Sequence, residues 1–410
     1  MTISEELEKR GLVEHSSADV EKIFSEKRTV YIGSDPTADS LHVGHLAWIT
    51  LLKRLSDAGH TPILLVGGGT GMIGDPKEKG ERSLLSEKVV DKNAKKLRKQ
   101  LSGLLKTTGR LRMVNNADWL RKVKLIPFLR DVGKHFTVND LVKRDLIKKR
   151  LETPDESISY TEFTYSLLQA YDFWQLHQKY KCDLQIGASD QWTNMLSGVD
   201  LIRKQEGKEV FALAIPLITD ASGRKFGKSE GNAVWLDAEK TSPYEFYQFW
   251  LGVEDEKVID YLNIYTFLSL EEIESIEKEH QANPGARTAQ KKLAHEITTF
   301  VHGLDNVEKA KNVSHILFEG GDIQSLSKDE KNMLIDGAPS YRLEKNMTLL
   351  ELVTATELAS SNREGRTFIE EGAVSIDGEK KMDATEEVSL SSGELKQLQR
   401  GKKQKVIVYR

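Results

Sequence analysis

The chain has 410 residues, of which 39% are hydrophobic, and a formal net charge of −4 at pH 7. This length has room for two or three domains, and the charge alone does not indicate a nucleic-acid-binding protein. Cys182 is the single cysteine, which excludes an internal disulfide framework and a cysteine zinc site. No apolar run approaches the roughly 20 residues of a membrane span, and the polar N-terminus resembles neither a signal nor a transit peptide. We therefore expect a cytoplasmic protein.

The first strong pattern in chain order predicts a strand, a loop and a helix. Residues 29–32 form a short β-rich run, which a loop rich in glycine, aspartate and proline ends. Asp39 or Ser40 can cap a helix that begins near Leu41 and ends at Gly59. The apolar stripe of this helix consists of Leu41, Leu46, Ile49, Leu52 and Leu55.

The first turn of that helix contains His42, Gly44 and His45. The two histidines are three residues apart, so they share one helix face. Free N–H groups and the helix dipole favour anions at this end, and the glycine lets a flat group lie against the backbone. The alternatives are two surface histidines beside a helix cap, or a metal pair for which the sequence offers no obvious third ligand.

A continuous apolar run at 61–66 predicts a strand that is buried on both faces. With the preceding strand and helix it makes a right-handed βαβ unit of a parallel sheet. Five glycines follow between Gly67 and Gly74, in a spacing that is neither a dinucleotide fingerprint nor a Walker A loop. They indicate close approach of the backbone to another group, with a flexible turn as the alternative. Asp75 follows them, where ligands of parallel sheets bind, and is placed to meet a cation such as an ammonium group.

The next segments are helical. Residues 121–160 are highly charged, and we interpret them as an insertion between the two halves of the sheet. Residues 161–178 predict a helix on which Tyr165, Gln169 and Asp172 share one face. A phenol, an amide and a carboxylate are costly to bury unpaired, so this face either meets solvent or forms the polar wall of a ligand pocket.

Two more strands complete the first half of the chain. Residues 182–186 predict a strand that leads into a polar loop at 187–192. Residues 210–219 predict a final strand, which precedes the sequence KFGKS at 225–229. A lone K-x-x-K-S is usually a solvated loop, but lysines on a glycine-flanked loop after a buried strand can close over phosphates.

From Ser242 onwards the pattern is helical. Capping boxes begin at Ser242 and Ser269, and three or four helices are expected up to about Phe318. Glycine, proline and charge predict a linker at 321–345, and a small module with helices and strands follows it. Its basic run at 396–410 is interpreted either as a phosphate-contacting surface or as a solvated tail.

Three segments resemble a known family. The sequence HVGH at 42–45 resembles the HIGH motif of class I aminoacyl-tRNA synthetases, with valine in place of isoleucine. KFGKS at 225–229 resembles their KMSKS motif in its tyrosyl form. YIGSDPTADSLH at 31–42 is similar to bacterial-type tyrosyl-tRNA synthetases. The resemblance covers essentially the full chain, which is identified as a member of that family.

The resemblance implies an α/β fold in three parts. These are a Rossmann-like catalytic domain with a parallel sheet, an all-helical domain, and a small α+β RNA-binding domain of the ribosomal-protein-four type. The expected boundaries are 1–235 for the catalytic domain, 236–320 for the helical anticodon-side domain, 321–345 for the linker and 346–410 for the RNA-binding domain. An insertion at about 116–180 is expected to form a dimer interface, with Phe128 and Phe136 either as its apolar anchors or packed internally.

The resemblance also implies a two-step reaction. Tyrosine and ATP give tyrosyl-adenylate and pyrophosphate, and the tyrosyl group then passes to the terminal adenosine of tRNA(Tyr). ATP is a substrate that Mg²⁺ accompanies, and no tightly bound prosthetic group or protein-held metal is expected. The expected partners are tRNA(Tyr), L-tyrosine, ATP and a second copy of the chain, and no membrane.

The site residues that the resemblance implies fall into three groups. Tyr31 and Asp172 are expected to face the substrate phenol, and Asp190 to take the ribose, because a carboxylate accepts from two hydroxyls well. The residues expected at the transferring phosphates are Thr37, His42, His45, Arg82, Lys225, Lys228 and Ser229, with Lys77 or Lys79. Those expected to bind tyrosine are Tyr31, Asp75, Asn116, Tyr165, Gln169, Asp172 and Gln191. Those expected to bind ATP are Gly33, Asp35, Gly44, Asp190, Leu217 and Lys228.

Three alternatives stay open. The tryptophanyl sister family shares the fold and both loops, but the pair Tyr31 and Asp172 and the C-terminal module argue against it. A small nucleotidyltransferase can contain an HxGH turn, but it does not need the long C-terminal half. A non-catalytic RNA-binding or splicing protein on a synthetase scaffold is the alternative from another class. The intact phosphate-binding residues argue against a loss of catalysis.

Overall fold

The structure, a computed structural model, describes residues 1–77, 80, 84–105, 111–229, 232–318, 320–401 and 404–410. The chain divides into two compact units. The first unit comprises Met1–Asp237 and Glu254–Ala289, and the second comprises Ala238–Val253 and Gln290–Arg410. No described helix is long and apolar enough to cross a membrane.

The helices and strands of the described residues are numbered in chain order. The helices are α1 Ile3–Lys9, α2 Val20–Phe24, α3 Leu46–Asp57, α4 Glu87–Leu104, α5 Ala117–Leu120, α6 Leu125–Asp131, α7 Val138–Leu141, α8 Asp145–Glu152, α9 Tyr160–Tyr180, α10 Trp192–Glu206, α11 Pro243–Leu251, α12 Val258–Tyr265, α13 Leu270–Ala282, α14 Thr288–His302, α15 Leu304–Phe318, α16 Lys328–Gly337, α17 Leu349–Ala355 and α18 Asn362–Glu370. The strands are β1 His15–Ser16, β2 Thr29–Ser34, β3 Thr61–Val66, β4 Arg112–Asn115, β5 Leu184–Ala188, β6 Phe211–Ile215, β7 Lys228–Ser229, β8 Asn232–Ala233, β9 Ser340–Arg342, β10 Met347–Thr348, β11 Val374–Ile376, β12 Glu379–Lys381, β13 Glu387–Val388, β14 Leu395–Arg400 and β15 Gln404–Tyr409.

A six-stranded sheet in the order β1-β6-β5-β2-β3-β4 forms the centre of the first unit. Its strands β2 to β6 are parallel, and the short β1 pairs antiparallel with β6. The prediction of a Rossmann-like parallel sheet is confirmed. The strand order reverses between β2 and β5, and ligands of open α/β sheets bind at the carboxyl ends of strands at such a reversal. The fold therefore places a binding crevice beyond Ser34 and Ala188, where these two strands end.

The central strands are apolar because helices cover both faces of a parallel sheet. Ile63 and Leu64 of β3 are fully buried, and so is Leu184 of β5. The helices α9 and α10 pack closely against each other beside the sheet. At their contact Gly198 lies against the ring of Phe173, which is itself fully buried.

The helix predicted to begin near Leu41 begins later. Val43–His45 form a single 3-10 turn, and α3 follows it. His42 caps this turn, with its Nδ1 accepting the Gly44 N–H at 3.1 Å, so the predicted cap at Asp39 or Ser40 was wrong. The physical reason is that the backbone before the turn pairs with a later segment of the chain and is not available to a helix.

The second unit contains helices and a β domain. The capping box predicted at Ser242 is present at the start of α11, and the one predicted at Ser269 is present in the first unit. A five-stranded sheet has the order β12-β11-β14-β15-β9, in which the pair β15 and β9 is parallel. The helices α17 and α18 cover it, and their apolar side chains share its core, including Leu352 and Ile369.

Residues 321–345 contain regular structure where the sequence predicted a linker. The helix α16 begins with a capping box of Ser327 and Glu330, and it buries Leu334. The strand β9 then pairs with β15. Composition does not predict these two elements, because α16 has a narrow apolar face and β9 has only three residues.

The basic run at 396–410 forms the hairpin β14 and β15, so the interpretation as a solvated tail was wrong. The guanidinium of Arg400 lies 4.5 Å from the ring centroid of Phe368, and Lys405 donates to the carbonyl of Leu317. Part of the positive charge therefore makes contacts within the second unit, to Phe368 of the β domain and to Leu317 of α15. Lys402 and Lys403 lie outside the described residues.

We expect Gly198→Ala to destabilise the protein, because the new Cβ would lie 2.8 Å from Cδ1 of the buried Phe173 ring. Overpacking of this kind costs about 1–3 kcal/mol. The matched control is Gly103→Ala in the exposed last turn of α4, where a Cβ meets nothing within 4 Å. Thermal unfolding followed by circular dichroism should give a lower midpoint for Gly198→Ala than for the control. Equal midpoints would contradict the packing argument.

Candidate active site

A cavity of about 400 Å³ lies at the carboxyl ends of the central strands. Its walls come from β2, the turn before α3, the glycine-rich loop, α9 and the loop after β5. The structure therefore brings together most of the site residues that the sequence predicted. They are Tyr31, Gly33, Asp35, Thr37, His42, Gly44, His45, Asp75, Asn116, Tyr165, Gln169, Asp172, Asp190 and Gln191.

The remaining predicted residues lie elsewhere or outside the described residues. Leu217 lines a second hollow of about 330 Å³ together with Tyr261. Lys225 contacts the cavity through Asp190, with 3.1 Å between Nζ and Oδ2. Lys77 is exposed, and it is the last described residue before residue 80. Lys228 and Ser229 form β7, and Lys79 and Arg82 lie outside the described residues.

Asp172 is a buried carboxylate that two N–H donors hold. Its Oδ2 accepts from Asn116 Nδ2 at 2.9 Å, and its Oδ1 accepts from the indole N–H of Trp119 at 2.7 Å. Burial raises the pKa of Asp172 from 3.8 to about 7, against the two hydrogen bonds, which lower it. Each oxygen retains a further lone pair with which it can accept from a ligand.

Tyr31 lines the same cavity with its side chain only 1% exposed. Its ring packs against Phe173, with 5.2 Å between the centroids. No described group hydrogen-bonds its hydroxyl. A buried hydroxyl without a partner is unfavourable, so a polar ligand atom beside it would gain a hydrogen bond that the protein alone leaves unmade. Burial and the nearby Asp172 raise the pKa of Tyr31, which keeps it protonated.

A chain of hydrogen bonds connects Asp172 to the other end of the polar wall. Asn116 Nδ2 also donates to Thr70 Oγ1 at 2.8 Å, and Thr70 Oγ1 donates to Asp35 Oδ1 at 2.7 Å. Tyr165 donates its hydroxyl proton to Asp35 Oδ2 at 2.9 Å. Because each member fixes the next, the five side chains form one rigid polar wall.

The glycine-rich loop packs against this wall. A Cβ on Gly67 would lie 1.9 Å from Asp35 Oδ1, and one on Gly68 would lie 2.4 Å from Asn115 Oδ1. The expected close approach of the backbone is therefore to the protein's own side chains. The N–H of Gly69 adds to it by donating to Asn116 Oδ1 at 2.7 Å.

The carboxylate of Asp75 lines the cavity and accepts hydrogen bonds from two side-chain amides. Gln191 Nε2 donates to its Oδ2 at 2.8 Å, and Asn194 Nδ2 donates to its Oδ1 at 3.2 Å. Neutral donors orient the carboxylate without cancelling its charge. This makes Asp75 suited to a cationic ligand group. Tyr165 and Gln169 line the same cavity.

The two histidines of the HVGH turn make the same kind of hydrogen bond with the backbone. The Nδ1 of His42 accepts the Gly44 N–H, and the Nδ1 of His45 accepts the His42 N–H, each at 3.1 Å. An Nδ1 that accepts a backbone N–H carries no proton, so the tautomer that fits these two contacts has its ring proton on Nε2, although His45 Nδ1 also lies 3.2 Å from the His42 carbonyl oxygen. The ring centroids are 4.0 Å apart, and both rings line the cavity. Two neighbouring N–H donors suit the oxygens of a phosphate.

The HVGH turn and the KFGKS loop are in contact. Leu236 donates its N–H to the carbonyl of Leu41 at 2.8 Å, and Val43 donates to the carbonyl of Val234 at 2.9 Å. Gly227 has φ +77°, and a Cβ there would lie 2.1 Å from Val43 Cγ2. Only glycine fits this position, both by backbone angle and by space.

Four further residues of this site do not follow from the sequence pattern. Thr70 and Trp119 hold the polar wall, and Asn194 holds Asp75. Gln185 lines the cavity with a buried Oε1 that no described group hydrogen-bonds. One signal could have found Trp119 and Asn194, because each lies three residues after a predicted site residue at the start of a helix. Among the described residues no group of three or more His, Cys, Asp or Glu side chains is arranged to hold a metal ion.

Comparison with known proteins gives two family matches. The model described as tRNA synthetases class I (W and Y) matches residues 25–319, and the model described as the tyrosine–tRNA ligase SYY-like C-terminal domain matches residues 330–408. The parallel sheet, the HVGH turn and the first match together define a class I tRNA synthetase of the tryptophan and tyrosine group.

Individual relatives show to which family within this class the chain belongs. Tyrosine–tRNA ligase 1 of Vibrio parahaemolyticus is 48% identical over 99% of this chain and 98% of its own length. Tyrosine–tRNA ligase of Streptococcus uberis is 46% identical over the whole of both chains. The crystal structure of a C-terminally truncated mitochondrial tyrosyl-tRNA synthetase from Aspergillus nidulans is 32% identical, with a TM-score of 0.70 over 77% of this chain and 94% of that one. The chain belongs to the tyrosine–tRNA ligase family.

The buried Asp172 predicts a pH-dependent stability. Because its pKa is about 7 in the folded protein and near 3.8 in the unfolded chain, the folded state binds the proton more tightly. The free energy of unfolding should fall as the pH rises through this window, by at most about 4 kcal/mol, and level off above it. The neutral isostere Asp172→Asn has no such proton to lose. Urea unfolding of both proteins between about pH 4.5 and 8 measures the difference in slope, and parallel profiles would contradict the raised pKa.

Proposed function

We infer that this enzyme activates tyrosine with ATP, forming tyrosyl-adenylate and pyrophosphate, and then transfers the tyrosyl group to the 3′ end of tRNA(Tyr). The identity of 46–48% with tyrosine–tRNA ligases over nearly the full chain supports this function. The single structural observation behind it is one cavity that both Tyr31 and Asp172 line together with the two histidines of the HVGH turn. A phenol-binding group and a phosphate-binding group in one cavity fit tyrosine and ATP side by side.

We propose that the substrate phenol binds between Tyr31 and Asp172. The phenol hydroxyl donates a hydrogen bond to a carboxylate oxygen of Asp172. The Tyr31 hydroxyl, which no described group hydrogen-bonds, gains a hydrogen bond to the phenol oxygen. Asn116 donates to Asp172, so it positions the carboxylate. The substrate ammonium group is proposed to bind Asp75, with Tyr165 and Gln169 as further acceptors.

The chemistry proposed for the first step is attack of the tyrosine carboxylate on the α-phosphorus of ATP. A bond forms between a carboxylate oxygen and phosphorus, and the bond from that phosphorus to the pyrophosphate oxygen breaks. No side chain needs to act as a covalent nucleophile, because positioning and charge stabilisation lower the barrier. His42 and His45 donate from Nε2 to phosphate oxygens, with Thr37 beside them.

The remaining cationic residues are proposed to meet the leaving pyrophosphate. They are Lys225, Lys228 and Arg82, with Ser229 and either Lys77 or Lys79. Mg²⁺ is proposed to enter with ATP, since hard cations bind phosphate oxygens. We propose that Asp190 holds the ribose and that Gly33, Asp35 and Gly44 border the nucleotide. Leu217 lines the second hollow, and its expected contact with ATP stays a prediction.

Amino-acid selection gives the direct test. The Tyr31→Phe enzyme should lose about 5- to 10-fold in kcat/KM for tyrosine, the usual worth of one hydrogen bond, without loss for phenylalanine. Asp172→Ala should lose selectivity for tyrosine or lose activity altogether. The assay is ATP–pyrophosphate exchange with each of the twenty amino acids, in the absence of tRNA.

The control is Tyr171→Phe on the same helix, whose ring packs on Phe128 and Trp174. It should exchange like the unmodified enzyme. Unchanged tyrosine-dependent exchange in Asp172→Ala would refute the phenol assignment. Exchange of the unmodified enzyme with tryptophan would favour the sister family, and no exchange at all would favour a non-catalytic RNA-binding protein.

We propose a homodimer that buries the exposed face of α6. Phe128 and Phe136, the expected anchors, pack inside the subunit around Val132. The side chains on the outer face are Leu125 and Ile126, which are 68% and 72% exposed. Two neighbouring aliphatic side chains that are this exposed indicate a surface that another protein covers, and a second copy of the chain fits the family.

Ile126→Glu should convert the dimer to a monomer, because it places a charge in the apolar contact. The control Leu304→Glu changes an exposed leucine of the second unit, at 59% exposure, and should leave the dimer intact. Multi-angle light scattering at micromolar concentration measures both. A monomer in the unmodified protein would refute the proposal, and so would a stable dimer in Ile126→Glu.

We propose that the β domain binds tRNA in the manner of the ribosomal-protein-four type. Arg363 and Arg366 are exposed and three residues apart on α18, so they lie on one face of that helix. Lys396 and Arg410 at the β14–β15 hairpin add positive charge. Phosphate contacts of this kind position an RNA without reading its sequence.

A further inference from the structure

The Asp75 carboxylate accepts a hydrogen bond from the side-chain amide of Asn194 only if the nitrogen of that amide faces it. Asn194 Nδ2 donates to Asp75 Oδ1 at 3.2 Å and to Gln191 Oε1 at 3.3 Å. If this amide turned by half a rotation, its carbonyl oxygen would face the carboxylate. That arrangement replaces a hydrogen bond by the contact of two acceptors, so Asp75 and Gln191 favour the proper orientation, and a donor that faces the amide oxygen would be a further constraint on it.

Arg144 supplies this constraint from the other side. Its Nη1 donates to Asn194 Oδ1, at 3.4 Å. A guanidinium has donors and no acceptors, so it can face only the oxygen of the amide. The orientation that satisfies Arg144 is the one that presents an N–H to Asp75.

Arg144 is itself fixed in place. Its Nη2 donates to Ser197 Oγ, and Ser197 in turn donates to the carbonyl of Thr193 on α10. Burial lowers the pKa of Arg144, and the carboxylates Asp140 and Asp75 oppose that shift. Arg144 precedes α8, so it ties the inserted helices to α10.

We propose that Arg144 is a positioning residue for tyrosine, which holds Asp75 through the side-chain amide of Asn194. This rests on the proposed function, in which Asp75 binds the substrate ammonium group. The charge of Arg144 acts against ammonium binding, but the side chain of Asn194 lies between the guanidinium and the carboxylate. The amide is in direct contact, so its orientation dominates.

The test compares two ligands on the full-length enzyme by titration calorimetry. One is L-tyrosine, and the other is 3-(4-hydroxyphenyl)propionate, which lacks the ammonium group. Arg144→Met should weaken tyrosine by about 5- to 10-fold and leave the analogue within about twofold. Arg144→Lys retains a donor and should recover most of the affinity. The KM for ATP should not change in either variant.

Two controls separate this role from a general structural one. Arg203→Met removes an arginine of α10 that pairs with Asp200 on the surface, and it should bind both ligands normally. In an Asn194→Ala background, Arg144→Met should have no further effect, because the residue through which it acts is gone. Equal weakening of both ligands, or additive effects in the double variant, would overturn the proposal.

Asp75→Asn distinguishes this proposal from the function on which it rests. If Asp75→Asn binds tyrosine as tightly as the unmodified enzyme, the ammonium assignment is wrong and both fail. If Asp75→Asn loses tyrosine while Arg144→Met does not, the proposed function stands and the role of Arg144 is refuted.

Discussion

The site depends on one chain of buried hydrogen bonds, from Trp119 through Asp172, Asn116 and Thr70 to Asp35. It joins four segments that are distant in sequence, and it sets both the orientation and the proton affinity of Asp172. A buried polar network is favourable only if nearly every member has a partner. Here the Tyr31 hydroxyl lacks a described one, and it lines the cavity. The unmet hydrogen bond of Tyr31 therefore lies where a ligand can complete it.

Much of this architecture follows from local pattern. The strand at 61–66 is a run of apolar residues, and the capping box at Ser242 is complete in four residues, so neither needs distant information. Tyr165 and Asp172 lie on one helix face by spacing alone, and both line the cavity. The roles of single residues came from resemblance to a family, since spacing by itself left a solvated face as an alternative.

Other features could not be predicted from local sequence pattern, because contacts with distant segments determine them. The start of α3 is delayed since residues 41–43 pair with 234–236. The glycines at 67 and 68 serve contacts with Asp35 and Asn115, which composition could not name. Leu217 was expected beside ATP from the resemblance to the family, and the structure places it in the lining of another hollow.

The pairing between the HVGH turn and the segment after the KFGKS loop has a consequence for the order in which the enzyme assembles. The backbone groups of Leu41 and Val43 find their partners only at Leu236 and Val234, almost two hundred residues later in the sequence. Contacts this remote in sequence form late in folding, because a long loop must first close. During synthesis the sheet can begin to form before its nucleotide turn is complete. A nascent or truncated chain that stops short of this segment has the histidines but not the backbone pairing that shapes them, so competence for catalysis requires the chain at least as far as Leu236.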